Sequence, residues 1–592
     1  MRIPKSNLIG FVREITNQCF TSRHDRINRG GFFQSYYDAG SNDPSNPALF
    51  NKTYASMDDL ESLLYSPVSL RFKISDPDLP GVLSQQKGRV AAARLRNAAR
   101  RSDTDTMISM AVQKALIKGK SFIKQLIKDK EFSPTLVQPE DMGVLRENYG
   151  NLDQNMEAFS HRTMVSIWQF DRQLRSLGWS EKDQNETYEK AKNFQKLSTG
   201  DEASKSASMQ VTVGGMYPFQ PSNNGPAQAR GIADWLSQPK PSLSPEVEQY
   251  LLPMDETWIW DDDRDDWATF QTIGEDILTL GRFQKINALA YDAVAKQSSE
   301  FLKGEHPFRE FCINPVDDYF WGRSELTQIV TLQELINSRI VGINKMLRKQ
   351  EAPTRQFIGT TGVNQNALSR YDKPNGYFVD GNPNTKINID KVDIPQDLFN
   401  SLHEYERMFD DMMGLPPTAR GKGDSGVRSH RHAQTLVQQS SPRFKDRALL
   451  VERDVEALAG LMLDLKRAHD DHKMIAWVPE QEAGLEGMAA DALAPPPAPG
   501  MVPVPFRFSD LSDTMSITVD SHSSSPAFAE DEKQLNFDLV KIGAESKEDL
   551  VEHVDVSDPE ALQMGIIRRD IAAAKAKQEE EQAKLAAKGA KH

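Results

Sequence analysis

Lys118-Gly119-Lys120-Ser121 sets two cations, a glycine and a hydroxyl side by side, the residue types with which a loop grips phosphate. Such a loop needs a further glycine five positions ahead, so that backbone N–H groups cradle the phosphate, and it lies between a strand and a helix. Lys114 holds that position here, and the segment closes a helical pattern instead of opening one. Nucleotide hydrolysis is therefore not expected. Asp261-Asp262-Asp263-Arg264-Asp265-Asp266 has carboxylates enough for paired divalent cations, but consecutive side chains cannot all converge on one ion. A solvated acidic hairpin tip, able to pair charges with a neighbouring subunit, is the expectation. His430 and His432 stand two apart, about 200° around a helix, so they face different ways and mark a polar helix start and not a metal site. Trp258, Trp260 and Trp267 could stack on bases; packing in a core or interface is the default for them. The stretch Thr418–Val427 joins Gly421, Gly423 and Gly426 to Arg420, Lys422 and Asp424. Its glycines give mobility and its cations suit phosphate, although by itself it reads as a connector between helices. No cofactor, metal or catalytic set emerges.

These segments hang on recognisable elements. Met1 to about Glu131 reads as mainly helical, broken by a polar loop at Asn42–Pro47. It contains a basic, alanine-rich run from Arg89 to Arg101 and then Asp103–Ile127, where Met107, Met110, Ala111, Lys114, Ile117 and Lys118 fall at helical spacing. Short strands are expected from Phe132 to Phe170, a long surface loop at Leu197–Ile232, and a β-hairpin whose arms are Thr257–Trp260 and Trp267–Phe270. Ser324 is the expected N-cap of a long helix with the apolar stripe Leu326, Ile329, Val330, Leu332, Ile336, Ile340, Ile343 and Leu347. A lone helix is not expected to bury that stripe; neighbouring copies would. Ala352–Ile394 reads as loops and short strands. Pro395 opens a second helix through Leu402, Tyr405, Met408 and Phe409 to Met413, ended by Gly414-Leu415-Pro416-Pro417. A third helix runs from Arg428 to about His472, tolerating or kinking at Pro442. Gln481–Pro505 reads as an Ala/Pro/Gly linker. Strands follow near Phe506–Phe508 and Ser516–Val519, then a polar helical tail, Ile566–His592.

The chain has 592 residues, a net charge of −14 and two cysteines, Cys19 and Cys312. The cysteine count rules out a disulfide framework or a cysteine-built zinc site. No apolar run of 18 residues exists to span a membrane, and Met1–Gly10 has no apolar stretch long enough for a signal peptide. A cytosol-like compartment is expected. The acidic balance argues against wrapping DNA tightly, which needs a basic face. It is compatible with a channel through which DNA slides, where strong attraction would act as a brake.

The order of these elements resembles the portal (head-to-tail connector) family of tailed double-stranded DNA bacteriophages, over about residues 30 to 570. Asp103-Thr104-Asp105 leading to Ala115–Lys124 looks like that family's wing helix and following strand, and Val137-Gln138-Pro139-Glu140-Asp141 like its strand exit. Tyr319-Phe320-Trp321-Gly322-Arg323-Ser324-Glu325-Leu326 is similar to the opening of its first stem helix. Gly414-Leu415-Pro416-Pro417 resembles the turn after the second, and Ser429–Leu436 the helix that follows the channel loop. The resemblance implies an α+β, mainly helical subunit. Its parts would be the N-terminal part of a wing (1–315), a first stem helix (316–350), a small α/β clip (351–394) and a second stem helix (395–413). A tunnel loop (414–428), a return helix with wing strands (429–524, holding the linker 481–505) and a C-terminal helical crown (525–592) complete it. It implies stem packing by Leu326, Ile329, Ile336, Ile340, Ile343 and Leu347, and DNA-facing Arg420, Lys422, Arg428 and Arg431. The implied assembly is a ring, typically a homododecamer, at one capsid vertex of the virion, put together in the host cytoplasm. Its implied partners are double-stranded DNA, the terminase large subunit, a head–tail adaptor, the major capsid protein and a scaffold. No membrane, cofactor or enzymatic activity is implied.

Rival readings separate cleanly. A tail-tube adaptor or internal ejection protein could also be long and acidic, and images of the purified protein would distinguish a ring with a central hole from either. A metal-dependent nuclease would reveal itself in a cleavage assay with Mg²⁺.

Overall fold

The computed structural model describes, with short interruptions, residues 2–65, 72–76, 82–170, 251–283, 305–358, 386–389, 394–414, 442–479 and 501–519. The Leu197–Ile232 loop, the Thr418–Val427 loop and the Ile566–His592 tail lie outside them. The protein is mixed α+β and divides into two compact units. The first joins Met1–Gly31, Asp58–Glu325 and Ser441–His592; the second joins Phe32–Met57 and Leu326–Ser440. Among the described residues no helix is long and apolar enough to cross a membrane.

In the first unit, α1 (Leu8–Cys19) places Leu8, Val12, Ile15 and Cys19 on one stripe, and all four are buried. They cover one face of a six-stranded antiparallel sheet. Its strands run in order β4 (Met142–Val144), β5 (Ala158–Ser166), β6 (Leu251–Asp261), β7 (Asp266–Ile273), β8 (Asp276–Thr279) and β9 (Arg282–Phe283). Ala158, Ile259, Ala268 and Phe270 face α1, whereas Phe159, Trp258 and Trp267 enter the aromatic core on the other side. Both faces are covered, which is why apolar residues occupy successive positions in these strands. The expected hairpin is present, with Trp260 opposite Trp267 and Asp261 opposite Asp266. Trp258 and Trp267 are core residues, and Trp260 packs partly buried against them.

A second sheet, in order β10 (Phe308–Phe311), β2 (Ser121–Lys128), β3 (Glu131–Val137), follows α5 (Thr104–Lys118). The expected helical run to Ile127 is therefore corrected: Gly119, at φ 99°, ends α5 by donating its N–H to the Ala115 carbonyl at 2.8 Å. A Cβ there would lie 2.7 Å from the Trp321 carbonyl oxygen, so glycine both ends the helix and admits the neighbouring chain. The mainly helical reading of the N-terminal part also missed β1 (Phe72–Ser75), which pairs with β15 (Ser516–Val519).

α4 (Val82–Arg101) packs on β13 (Met474–Pro479), which pairs with β14 (Met501–Phe506). Residues 501–505 are thus a strand and not the end of a linker. Pro503 and Pro505 stand opposite Trp477 and Ile475. Lacking N–H groups, they occupy the positions whose donors would point away from β13. The described part of the third expected helix is α8 (Pro442–His469); its expected start at Arg428 and the stretch leading into Pro442 lie outside the described residues. Val451, Val455, Leu458, Met462 and Leu465 form its buried stripe.

In the second unit, α6 (Val330–Glu351) and α7 (Gln396–Met413) pack together. The hairpin β11 (Arg355–Ile358) with β12 (Lys386–Ile389) lies between them in sequence. α7 follows the expectation closely: Pro395 caps it, and Gly414, at φ 69°, closes it with its N–H on the Asp410 and Asp411 carbonyls. The start of α6 does not. A 3-10 turn, Glu325–Gln328, comes first, and the Ser324 hydroxyl donates to the Ile117 carbonyl instead of capping the helix. The helix has 22 residues, about 33 Å at the usual rise.

Candidate functional site

α6 and α7 run antiparallel. Lys52 Nζ reaches Asp410 at 2.8 Å, and Thr53, its neighbour, is 3.2 Å from Gln333. One helical step further, the Arg339 guanidinium lies 5.8 Å from the Tyr405 ring. The base of this pair thus combines the start of α6, the end of α7 and the segment Phe32–Met57. Gln333 is fully buried there, donating to the Phe50 carbonyl and to Asn337, whose amide donates to the Gly40 carbonyl. Lys52 also donates to the Glu406 carbonyl and sits over the Phe409 ring. The Tyr36 hydroxyl donates to Glu334; burial, then that carboxylate, pushes its pKa up. Every buried polar group in this seam has a partner, so it fixes the register of the two helices.

The apolar stripe lies on one side of α6, as its spacing requires, but its burial fades along the helix. Leu326, Ile329 and Ile336 are fully buried, Ile343 is 7% exposed, Ile340 is half-buried and Leu347 is 39% exposed. The expectation that only neighbouring copies bury the stripe is overturned at Ile336, which its own chain covers completely. Toward the β11–β12 end the cover thins, so that Val341 and Leu347 are exposed; nearer the base Leu335, Met408 and Met412 are exposed as well. The four expected DNA-facing residues, Arg420, Lys422, Arg428 and Arg431, lie outside the described residues, as do His430 and His432. What is described of the loop is its anchor, Gly414.

In the first unit the phosphate-loop lookalike is structural. Lys120 is fully buried, 3.0 Å from Glu310, on the Gly150 carbonyl at 2.8 Å and 3.8 Å from the Phe320 ring centroid. The Ser121 hydroxyl donates to the Ala111 carbonyl. Helix precedes strand, the reverse of a phosphate cradle. At the acidic tip Asp261 is buried and accepts the Asp263 N–H, Asp262, Asp263 and Asp265 point to solvent, and Asp263 pairs with Arg2 at 3.5 Å. Among the described residues no group of three His, Cys, Asp or Glu side chains is placed to hold a metal ion. Cys19 and Cys312 are buried free thiols; burial pushes them up to about 12 and about 11.

A buried acid that no sequence pattern announces is Asp454 on α8. It accepts the Cys312 N–H at 2.9 Å and lies beside Arg453. Burial, aided by Glu310 and opposed by the Cys312 N–H and Arg453, pushes its pKa up to about 7. The folded state therefore holds a proton that the unfolded chain releases near 3.8, so stability falls as pH rises from about 4 to about 7. Asp454→Asn is expected to melt a few degrees above wild type at pH 8, with the gap closing toward pH 4. A gap independent of pH would refute this assignment. His161, pushed down to about 4 by burial and then by Lys124, acts the opposite way, its contribution being lost as pH falls from 6.5 to about 4.

These features define a mixed α+β chain whose most distinctive device is an antiparallel helix pair with a small strand hairpin inserted between its helices. No protein-family model matches the sequence, and no curated protein matches it. Among solved structures the chain is similar to a chain in the virion of a native gene transfer agent particle, with TM-score 0.38 and 9% identity. It is also similar to chains in the neck of the native particle computed with C12 symmetry (TM-score 0.36, 9% identity) and the neck of the empty particle computed with C6 symmetry (0.38, 9%). Each likeness covers 88% of this chain and 92% of the other. At these values the likenesses carry no inference, and function is argued from the residues.

Proposed function

We propose that this chain is the subunit of a portal ring of a tailed double-stranded DNA phage, a non-enzymatic virion component at one capsid vertex. The observation that carries the reading is α6 with α7: a helix pair locked at its base by a polar seam, with its apolar stripe uncovered where the β11–β12 hairpin is attached. A head-to-tail ring needs two unlike patches on every copy. Val341 and Leu347, six residues apart and about 120° apart around α6, are exposed apolar side chains on two different sides of it. In this reading the pair is the stem, residues 351–394 the clip that meets terminase and then the adaptor, and 414–428 the tunnel loop. The ring, typically of twelve, would conduct duplex DNA, sit among major capsid protein and scaffold, and assemble in the bacterial cytoplasm. Negative-stain images of the purified full chain are expected to show rings with a central hole; a uniform monomer at all concentrations would defeat the proposal.

Arg420 and Lys422 supply the sequence-independent phosphate contacts in this reading. Replacing both with Ala is expected to leave folding, ring formation and capsid incorporation unchanged and to lower the ratio of full to empty heads. Wild-type ratios would remove the channel role from these two cations, and loss of rings would make the loop an interface element.

A further inference from the structure

α4 carries Lys87, Arg89, Arg94, Arg96, Arg100 and Arg101 and no acidic residue in its 20 positions, within a chain of net charge −14. Cations in a last turn complement the helix dipole, which accounts for Arg100 and Arg101. Arg96 is taken by Asp105 at 2.5 Å. Arg94 lies outside the last turn, and the acid it meets, Asp470, is shared with a second cation. Arg94 stands seven residues before Arg101, hence on the same face and about 10.5 Å away along the axis. That face forms one wall of a groove of about 510 Å³; the end of α8 and the turn into β13 form the other, with Lys466, Asp470, Asp471, His472 and Lys473.

The charges in the groove are unevenly matched. Lys466 Nζ and the Arg94 guanidinium approach the same Asp470 oxygen, at 3.3 and 3.7 Å, so one carboxylate is shared by two cations. Lys466 is nearly buried, its ammonium 5.0 Å from the Phe132 ring centroid, and it cannot swing away. Asp470 is held below the ordinary carboxylate range: burial would raise it, but the His472 N–H, Lys466 and Arg94 together outweigh that. Arg101 meets Glu131 at 3.4 Å with both side chains more than half exposed, a pairing in water that is given up at little cost. Lys473 and His472 are exposed at the rim. The remaining lining residue, Ala98, is the sole apolar one.

We propose that this groove binds the backbone phosphates of nucleic acid. Arg94, Arg101 and Lys473 make the contacts, and the Lys466–Asp470 pair holds Arg94 in place from beneath. An acidic peptide is the less suitable occupant, because a groove with one alanine offers no pocket for its other side chains. Phosphates need only the cations and carry no sequence information. The three carboxylates in the groove keep the attraction modest and sensitive to salt. The site uses none of the residues of the Thr418–Val427 loop and does not depend on ring formation.

The test uses the full chain and a short mixed-sequence DNA duplex, with binding followed by fluorescence anisotropy across a salt series. Arg94→Gln, Arg101→Gln and Lys473→Gln together are expected to weaken binding roughly tenfold or more at low salt. The slope of log affinity against log salt should fall by about 2 to 3. Arg101→Glu with Lys473→Glu alters only exposed positions; it is expected to weaken binding at least as much with an unchanged melting midpoint, which separates lost contacts from lost fold. The same losses should appear in an Arg420→Ala/Lys422→Ala background, which separates this groove from the loop. Unchanged affinity and slope in both variants would overturn the proposal. So would tight binding of polyglutamate that the duplex fails to displace.

Discussion

A chain carrying Val341→Asp and Leu347→Asp is expected to fold and melt like wild type yet form no rings, whereas Ile336→Asp is expected to lose the helix pair itself. All three positions lie on α6, but they meet different surroundings. Ile336 is fully buried within its own chain, so a carboxylate there is taken out of water with no counter-charge supplied. The cost is about 4 kcal/mol or more, large against the stability of a whole domain. Val341 and Leu347 are 38% and 39% exposed. A carboxylate at either stays hydrated in the free subunit and is stranded only when a neighbouring copy covers it. Mass photometry reads assembly and circular dichroism reads folding. Intact rings from the double variant would remove this part of α6 from the interface and with it the stem assignment.

The buried ion pair beneath the tryptophan hairpin should be the most damaging single site in the first unit. Lys124 Nζ lies 2.6 Å from Glu256, whose other oxygen accepts the Trp258 indole N–H at 2.9 Å. Burial alone would raise the Glu256 carboxyl, but Lys124, His161 and the two hydrogen bonds hold it below the ordinary range. Glu256→Ala leaves the Lys124 ammonium buried without its counter-charge and is expected to destabilise by about 3–5 kcal/mol. Lys124→Met with Glu256→Leu removes both charges and keeps the volume, so its loss should be smaller than that of Glu256→Ala alone. Denaturant unfolding of the two variants decides. A double variant worse than the single one would mean that the aromatic core needs the pair for its geometry and not merely for neutrality.

Legibility in the sequence followed the range of the forces involved. Pro395 and Gly414 bound α7 because capping acts within a turn, and the Trp hairpin was plain because two aromatic-rich runs flank a short acidic turn. The stripe on α6 had the right angular position, yet its fading burial depends on what else the chain brings to each turn, which spacing does not encode. β1 was missed because four residues have no periodicity to speak of and their partner, β15, lies more than 400 positions away. β14 was mistaken for linker because Pro503 and Pro505 argue against a strand until one side of that strand is seen to need no donors. Among the site residues, Asp454 and Gln333 look like ordinary helix-surface positions. Only the packing of β10 on α8, and of Phe32–Met57 on α6, turns them inward.

Those two prolines have a consequence for solubility. Among the described residues β14 has a partner on one side only, and an open strand edge is a template on which another chain can grow an intermolecular sheet. At high subunit concentration, accidental pairing of that kind would compete with ordered assembly. With Pro503 and Pro505 at alternate outward positions, an approaching strand finds acceptors but two missing donors in succession, and a continuous ladder cannot propagate. The β14 edge of the ribbon is thereby protected from seeding aggregates, a protection written in the same residues that made the strand look unstructured.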